Sequence, residues 1–250
     1  MVKKKKDSKE KSNSKRVPTG IEGFDGLCGG GLLRNRSYLL SGPAGAGKTI
    51  FGLQYLYNGI SKYRENGIYI ATEEQPDQIR ENASEFGWDF DTLEDEGKLA
   101  IIDSCTPRIG KPPHEEYVDV DPFNLRSIME QLIALQDTID AKRVLFDSTT
   151  SIGFYLQDPS KIRVELLRVS TILQILGLTS ILTCELLEDD TGNSRFGIEQ
   201  FIADGVIRLS NKQTDDLYIS TISIIKMRGS KHSKYIHPFE ITSSGIVIHS

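Results

Sequence analysis

Gly42-Pro43-Ala44-Gly45-Ala46-Gly47-Lys48-Thr49 decides the fold. The octet fits the pattern Gly-x4-Gly-Lys-Thr of a phosphate-binding loop without exception. Before it, Ser37-Tyr38-Leu39-Leu40-Ser41 is a short apolar run that predicts a strand. After it, Phe51, Leu53, Tyr55, Leu56 and Ile60 recur at helical spacing. Strand, glycine loop, helix is the setting in which the motif has a physical meaning. Glycines let successive backbone N–H groups curl round an anion. The helix N-terminus adds unpaired donors and the positive end of its dipole. Gly42, Ala44, Gly45, Ala46, Gly47, Lys48, Thr49 and Ile50 are therefore the candidate phosphate-binding residues. Lys48 is expected to reach the outer phosphates, and the Thr49 hydroxyl to bind Mg²⁺.

Outward from the loop, short apolar runs alternate with helical patterns. Strands are predicted at 67–72, 99–103, 143–147 and 179–183, and helices at 76–86, 125–135 and 162–176. This rhythm indicates an α/β fold: a mainly parallel twisted sheet with helices on both faces. After about residue 204 the rhythm changes. Residues 206–209, 218–227 and 239–248 read as strands with no helix between them, an antiparallel extension at one sheet edge. Residues 105–121 carry Pro107, Pro112 and Pro113 and read as a long loop. No internal repeat or linker interrupts 17–250, so this span is read as one domain.

Composition bounds the function classes. The chain has 250 residues, 38% hydrophobic and 26% charged, which suits an ordinary folded core and excludes wholesale disorder. No apolar run approaches the roughly 18 residues of a membrane span. Residues 1–16 are lysine-rich without an apolar segment and do not read as a secretory signal. Cys28, Cys105 and Cys184 are odd in number and widely spaced, which predicts small apolar packing groups in a reducing cytoplasm. The net charge of −5 is uneven: residues 1–16 hold eight basic and two acidic side chains, net +6, leaving −11 on the rest. An acidic body argues against nucleic-acid binding over the whole surface. The basic tail is expected to be a solvated, disordered segment, the one part able to touch nucleic acid or an acidic partner.

Acids at strand ends are the next candidates. Asp147 closes the run Val144-Leu145-Phe146 and is placed to bind a metal beside the loop; the competing reading is a helix N-cap. Glu73 and Glu74 follow the strand at 67–72, where two adjacent carboxylates repel each other. One as general base for water, with Glu73 also near the metal, explains them better than a solvated pair. Glu185, after 181–184, either senses a phosphate through water or caps a loop. Near the C-terminus, Lys226, Arg228, Lys231, His232 and Lys234 fall within nine residues. A solvated sheet edge, a nucleic-acid patch, or a finger to the phosphates of a neighbouring subunit all fit this composition.

These residues, taken together, resemble the KaiC family of RecA-superfamily ATPases. The resemblance rests on 18–25, Gly29-Gly30-Gly31-Leu32, the glycine loop, 51–59, Glu73-Glu74-Gln75-Pro76 and Phe86-Gly87-Trp88-Asp89. It continues through Phe146-Asp147-Ser148, Arg195-Phe196-Gly197-Ile198-Glu199, Lys226-Met227-Arg228-Gly229-Ser230, His232 and Pro238-Phe239. It covers roughly 17–250, in order, and is closest to the first of two tandem domains in the circadian-clock ATPase. It implies a RecA-like fold and a hexameric ring with Mg-ATP between subunits. Glu73 and Glu74 match the family's catalytic pair and Asp147 its metal-binding acid. Lys226, Arg228, His232 and Lys234 match positions that reach ATP across the interface, Lys226 and Arg228 as catalytic cations. The second clock domain phosphorylates itself on a Ser-Thr pair; Gln200 and Phe201 stand at those positions here, so autokinase activity is not expected. The resemblance implies an ATPase whose nucleotide state signals to an unidentified protein partner. A DNA-repair accessory of the RecA-paralogue kind and a non-hydrolysing ATP-dependent scaffold are the competing functions.

Overall fold

A computed structural model describes residues 15–106, 117–118, 124–187, 192, 194–214 and 217–249. In chain order the elements are β1 (Arg16–Val17), α1 (Phe24–Leu27), β2 (Leu32–Leu33), β3 (Ser37–Gly42), α2 (Lys48–Tyr63), β4 (Gly67–Ala71) and α3 (Pro76–Ser84). They continue with α4 (Phe90–Asp95), β5 (Leu99–Asp103), α5 (Leu125–Ile139), β6 (Arg143–Asp147), α6 (Thr150–Leu156) and α7 (Pro159–Ile175). The last are β7 (Thr179–Glu185), α8 (Glu199–Ile202), β8 (Gly205–Thr214), β9 (Leu217–Met227), β10 (Ile236–Thr242) and β11 (Gly245–Ile248).

Among the described residues, nine strands form one sheet in the order β11-β10-β9-β8-β3-β7-β6-β4-β5. β8, β3, β7, β6, β4 and β5 are parallel. β9, β10 and β11 extend the β8 edge antiparallel, as the sequence predicts. The period-2 alternation of the buried strands sorts their side chains into two cores. Tyr38, Leu40, Tyr69, Ala71 and Leu145 pack on the α2 side. Leu39, Ile68, Ile70, Val144 and Phe146 pack on the other, against Ile128, Met129, Leu132 and Leu135 of α5 and Ile162, Leu166, Val169 and Leu173 of α7. α7 starts sharply because Asp158 accepts from the backbone N–H groups of Ser160 and Lys161 while Pro159 takes the first turn, where its missing N–H costs nothing. Helix α2 lies so close to β6 that a Cβ at Gly52 would stand 2.5 Å from the Leu145 methyls.

Three expectations change. Residues 239–248 are not one strand but part of a hairpin, broken where Ser243-Ser244-Gly245 turns the chain between β10 and β11. Arg16, expected in the solvated tail, belongs to β1 and donates to Cys28 O, Gly31 O and Ser230 Oγ. The helices α1, α4, α6 and α8 and the short strands β1 and β2 add to those expected. Residues 1–14 and most of the expected loop 105–121 lie outside the described residues. The three cysteines are free and buried, and Trp88 is a core residue stacked between Phe86 and Tyr57.

Candidate nucleotide-binding site

The sheet order places the C-terminal ends of β3, β7, β6 and β4 side by side, and the register aligns the residues at and just beyond those ends. Gly42 pairs with Glu185, and Asp147 with Ala71, two residues before Glu73. A crevice outside the carboxyl ends of parallel strands is where an open α/β sheet binds ligands.

The loop from Gly42 to Gly47 leaves β3 and enters α2. Gly42 packs on β8, where a Cβ would stand 2.7 Å from Leu209 O. Gly45 and Gly47 have φ of 72° and 87°, a left-handed conformation that glycine alone adopts without strain. Ala44 and Gly45 are exposed, Ala46 is buried beneath them, and Lys48, Thr49 and Ile50 form the first turn of α2. Lys48 Nζ donates to Gly42 O at 2.9 Å and Pro43 O at 2.8 Å. Burial lowers its pKa, against the opposing pull of Asp147, Glu185 and Glu73.

Asp147 is the hub. Its Oδ2 accepts from Thr49 Oγ1 at 2.8 Å and from Tyr69 OH at 3.0 Å, and its Oδ1 accepts from Thr183 Oγ1. It takes three hydroxyl donors and is not an N-cap: the N-cap of α6 is Thr149, with no side-chain cap bond. Mg²⁺ takes one or two protein oxygens and completes its shell with phosphate and water, and Thr49 with Asp147 is such an oxygen pair.

Glu73 and Glu74 diverge. Ser148 Oγ donates to Glu73 Oε1, and Ser151 Oγ approaches the same oxygen at 3.5 Å. Glu73 opens to solvent on one side, yet the protein packed round its carboxyl raises its pKa, with Asp147 and Glu185 adding to the rise and Ser148 and Lys48 opposing it. Glu74 instead accepts from Asn82 Nδ2 at 3.1 Å, and burial followed by Asp147 raises its pKa too. It faces a cleft of about 480 Å³ beside the loop, lined also by Ile50, Leu53, Asn82, Glu85, Phe86 and Ile241.

The structure does not bring the basic segment to this crevice. Lys226 lies in β9 opposite Val206, level with Leu39 of β3, and the chain runs on from there toward the start of β3, whereas the loop leaves the far end. Gly42 is about 10 Å of strand beyond the level of Lys226, and about 17 Å beyond that of Arg228, which bonds Asp204 beside Ser37. Lys226 Nζ donates to Gln200 O and Ala203 O, and Arg228 Nη2 to Phe201 O, so both cations grip the carbonyl end of α8. Burial and the nearby Arg228 lower the Lys226 pKa. Arg228 and Lys234 are exposed, and Lys234 Nζ donates to His232 Nε2 at 3.0 Å.

Several site residues carry no sequence signal of their own. Tyr69 and Thr183 lie inside apolar strand runs, and Asn82 and Glu85 sit on a predicted helix whose facing side only packing decides. Ser148 stands out in the sequence only as the residue after Asp147.

A glycine loop between β3 and α2, with a hydroxyl-bound aspartate at the end of β6, two strands along the sheet, defines a P-loop nucleotide-binding protein of RecA-like fold. A family model described as "ATPase: KaiC" matches residues 17–250, and the chain belongs to that family. It is 40% identical over 236 residues to a UPF0273 protein of Methanocaldococcus jannaschii, covering 94% of this chain and 96% of that one. It is 39% identical over 233 residues to the circadian clock oscillator protein KaiC of Synechococcus elongatus, covering 93% of this chain and 44% of the clock protein. The chain thus spans less than half the length of that relative. The crystal structure of a KaiC-like protein from Pyrococcus horikoshii superposes with a TM-score of 0.81 at 37% identity, covering 94% of this chain and 99% of that one. Membership in this ATPase family supports ATP binding. Among the described residues, no helix is long and apolar enough to cross a membrane.

Proposed function

We propose that the protein is a Mg-ATP-binding, slowly hydrolysing ATPase of 17–250 that assembles into a hexameric ring, its nucleotide state regulating a protein partner in the cytoplasm. The observation that carries this reading is a division of the machinery. The loop, Asp147, Glu73 and Glu74 converge at the C-terminal end of the parallel strands, while β9 carries Lys226 and Arg228 away from it toward the start of β3, with His232 and Lys234 in the connection from β9 to β10. Cations too far to serve their own loop can serve the loop of an adjacent copy, and a head-to-tail contact whose rotation closes makes a ring.

In this reading the N–H groups of Gly45, Gly47, Lys48 and Thr49 bind phosphate oxygens, with Lys48 as counter-charge. Thr49 and Asp147 hold Mg²⁺, which supplies neutralisation of developing charge on the phosphates. Glu73 orients and deprotonates the attacking water. Its oxygen is shared with the Ser148 hydroxyl, which weakens it as a base and supports slow turnover. The cleft beside Ile50, Leu53 and Phe86 takes the nucleoside. Gln200 and Phe201 offer no hydroxyl to phosphorylate, so autokinase activity is not part of the proposal.

Light scattering in Mg-ATP, in ADP and without nucleotide tests the ring, paired with phosphate release. A shift to about six subunits with ATP, accompanied by phosphate release, is the expected result. A monomer in all three conditions overturns the shared site, and ATP binding without phosphate release overturns hydrolysis.

A further inference from the structure

Tyr69 has no part in the chemistry just described, yet its hydroxyl is directed entirely at the site. It lies mid-strand in β4, 1% exposed, within the apolar core on the α2 side. A phenylalanine would fill that space without burying a polar atom, which costs free energy unless it is hydrogen-bonded. The bond it makes is to Asp147 Oδ2, at 3.0 Å.

The geometry points to Tyr69 as a positioning residue for the metal: its hydroxyl fixes the Asp147 carboxylate in the orientation that receives Mg²⁺ beside the nucleotide. This rests on the reading that Thr49 and Asp147 hold the metal. A carboxylate offers about four acceptor positions. Three hydroxyls from three elements take three of them: Thr49 from α2, Tyr69 from β4 and Thr183 from β7. The position left over is what Asp147 can present to a metal or to a metal-bound water. Of the three donors, Thr49 sits on the segment that meets the nucleotide. Tyr69 and Thr183 belong to the sheet and hold opposite oxygens, so turning the carboxylate breaks both bonds.

The test is Tyr69→Phe in the full chain, read by electron paramagnetic resonance with Mn²⁺ as probe and a non-hydrolysable ATP analogue bound. Removing a support of this kind costs about tenfold or more in metal affinity. The Kd of Mn²⁺ is expected to rise by about that factor, with analogue affinity in EDTA unchanged. In an Asp147→Asn background the same change is expected to do nothing further, since the bond it removes has already lost its charged acceptor. An unchanged Mn²⁺ Kd, or an equal loss in the Asp147→Asn background, overturns the proposal. Should the phenylalanine variant not fold, 3-fluorotyrosine at position 69 keeps the hydroxyl. Its ¹⁹F resonance is expected to move when Mg²⁺ joins the analogue complex, and a resonance that stays put overturns the proposal. A wild type that binds Mn²⁺ with the analogue but releases no phosphate from ATP defeats hydrolysis alone and leaves this comparison intact. A wild type that binds no Mn²⁺ with the analogue overturns both.

Discussion

Ser148 holds Glu73 toward Asp147, while Asn82 holds the adjacent Glu74 toward the cleft at 3.1 Å. Two carboxylates neighbouring in sequence therefore face different chemistry. Glu73→Gln is expected to lower kcat by about a hundredfold or more, the usual weight of a general base, with ATP affinity retained. Glu74→Gln is expected to change KM more than kcat. Phosphate release with a parallel nucleotide-binding titration separates the two, and a Glu73→Gln variant of normal turnover removes the assignment.

Burial raises the pKa of both glutamates in the folded state. A base must be unprotonated, so turnover is expected to fall with acidification at a pH above the ordinary carboxylate range. The stability sign is opposite to that of a salt-bridged acid. The native state holds protons that the unfolded chain has released, so these groups lose stability as pH rises through the window between the ordinary and raised values. Urea midpoints of the wild type and of Glu73→Gln, compared across that window, are expected to diverge in favour of the variant as pH rises.

Arg228 is exposed, and its guanidinium donates to Phe201 O at the end of α8. Arg228→Ala is expected to fold, bind ATP and lose hydrolysis by about a hundredfold or more. Mixing it with a Lys48→Ala chain is expected to restore part of the activity, because a head-to-tail contact can unite the intact loop of one chain with the intact arginine of the other. No recovery after reassembly places Arg228 outside the shared site.

Arg143 is fully buried and bonds Glu65, Tyr55 O and Pro18 O, with the Tyr55 ring 4.7 Å from its guanidinium. Glu65→Ala leaves that charge without its carboxylate and is expected to cost about 3–5 kcal/mol of stability, measured by urea unfolding. An effect within about 0.5 kcal/mol would show that water reaches the guanidinium.

The same physics decides which residues of the site are legible in the sequence and which are hidden. Asp147 and Glu185 are legible because each ends an apolar run, and Glu73 because it adjoins Glu74 just beyond another, where two carboxylates repel. The site's hydroxyls are not. Tyr69 and Thr183 are ordinary strand residues until the parallel register sets them against Asp147. Arg16 reads as one more charge in a basic run, and only the folded chain shows that it ties β1 to Cys28, Gly31 and Ser230. α6 escapes notice because Thr149-Thr150-Ser151 begins it with residues of weak helix propensity. Their hydroxyls bond elsewhere: Thr149 donates to Thr183 O, Thr150 accepts from Glu185 N, and Ser151 meets Thr72. Ser243-Ser244-Gly245 is a readable turn, masked by the apolar residues on either side.

The place of β3 in the sheet also sets a timetable for the growing chain. β3 is made early, but its two partners are β7 and β8, with Ser37 meeting Ser180 across 143 residues and Ser41 reaching Ile207 across 166. Pairing at that separation is slow and waits on synthesis. A ribosome that has passed the glycine loop has encoded the motif without yet providing its setting. Until β7 and β8 emerge, β3 has two open edges and Asp147 lacks Thr183. A nascent chain arrested before residue 179 therefore carries the signature of a nucleotide site and an unpaired, aggregation-prone strand in place of the site itself.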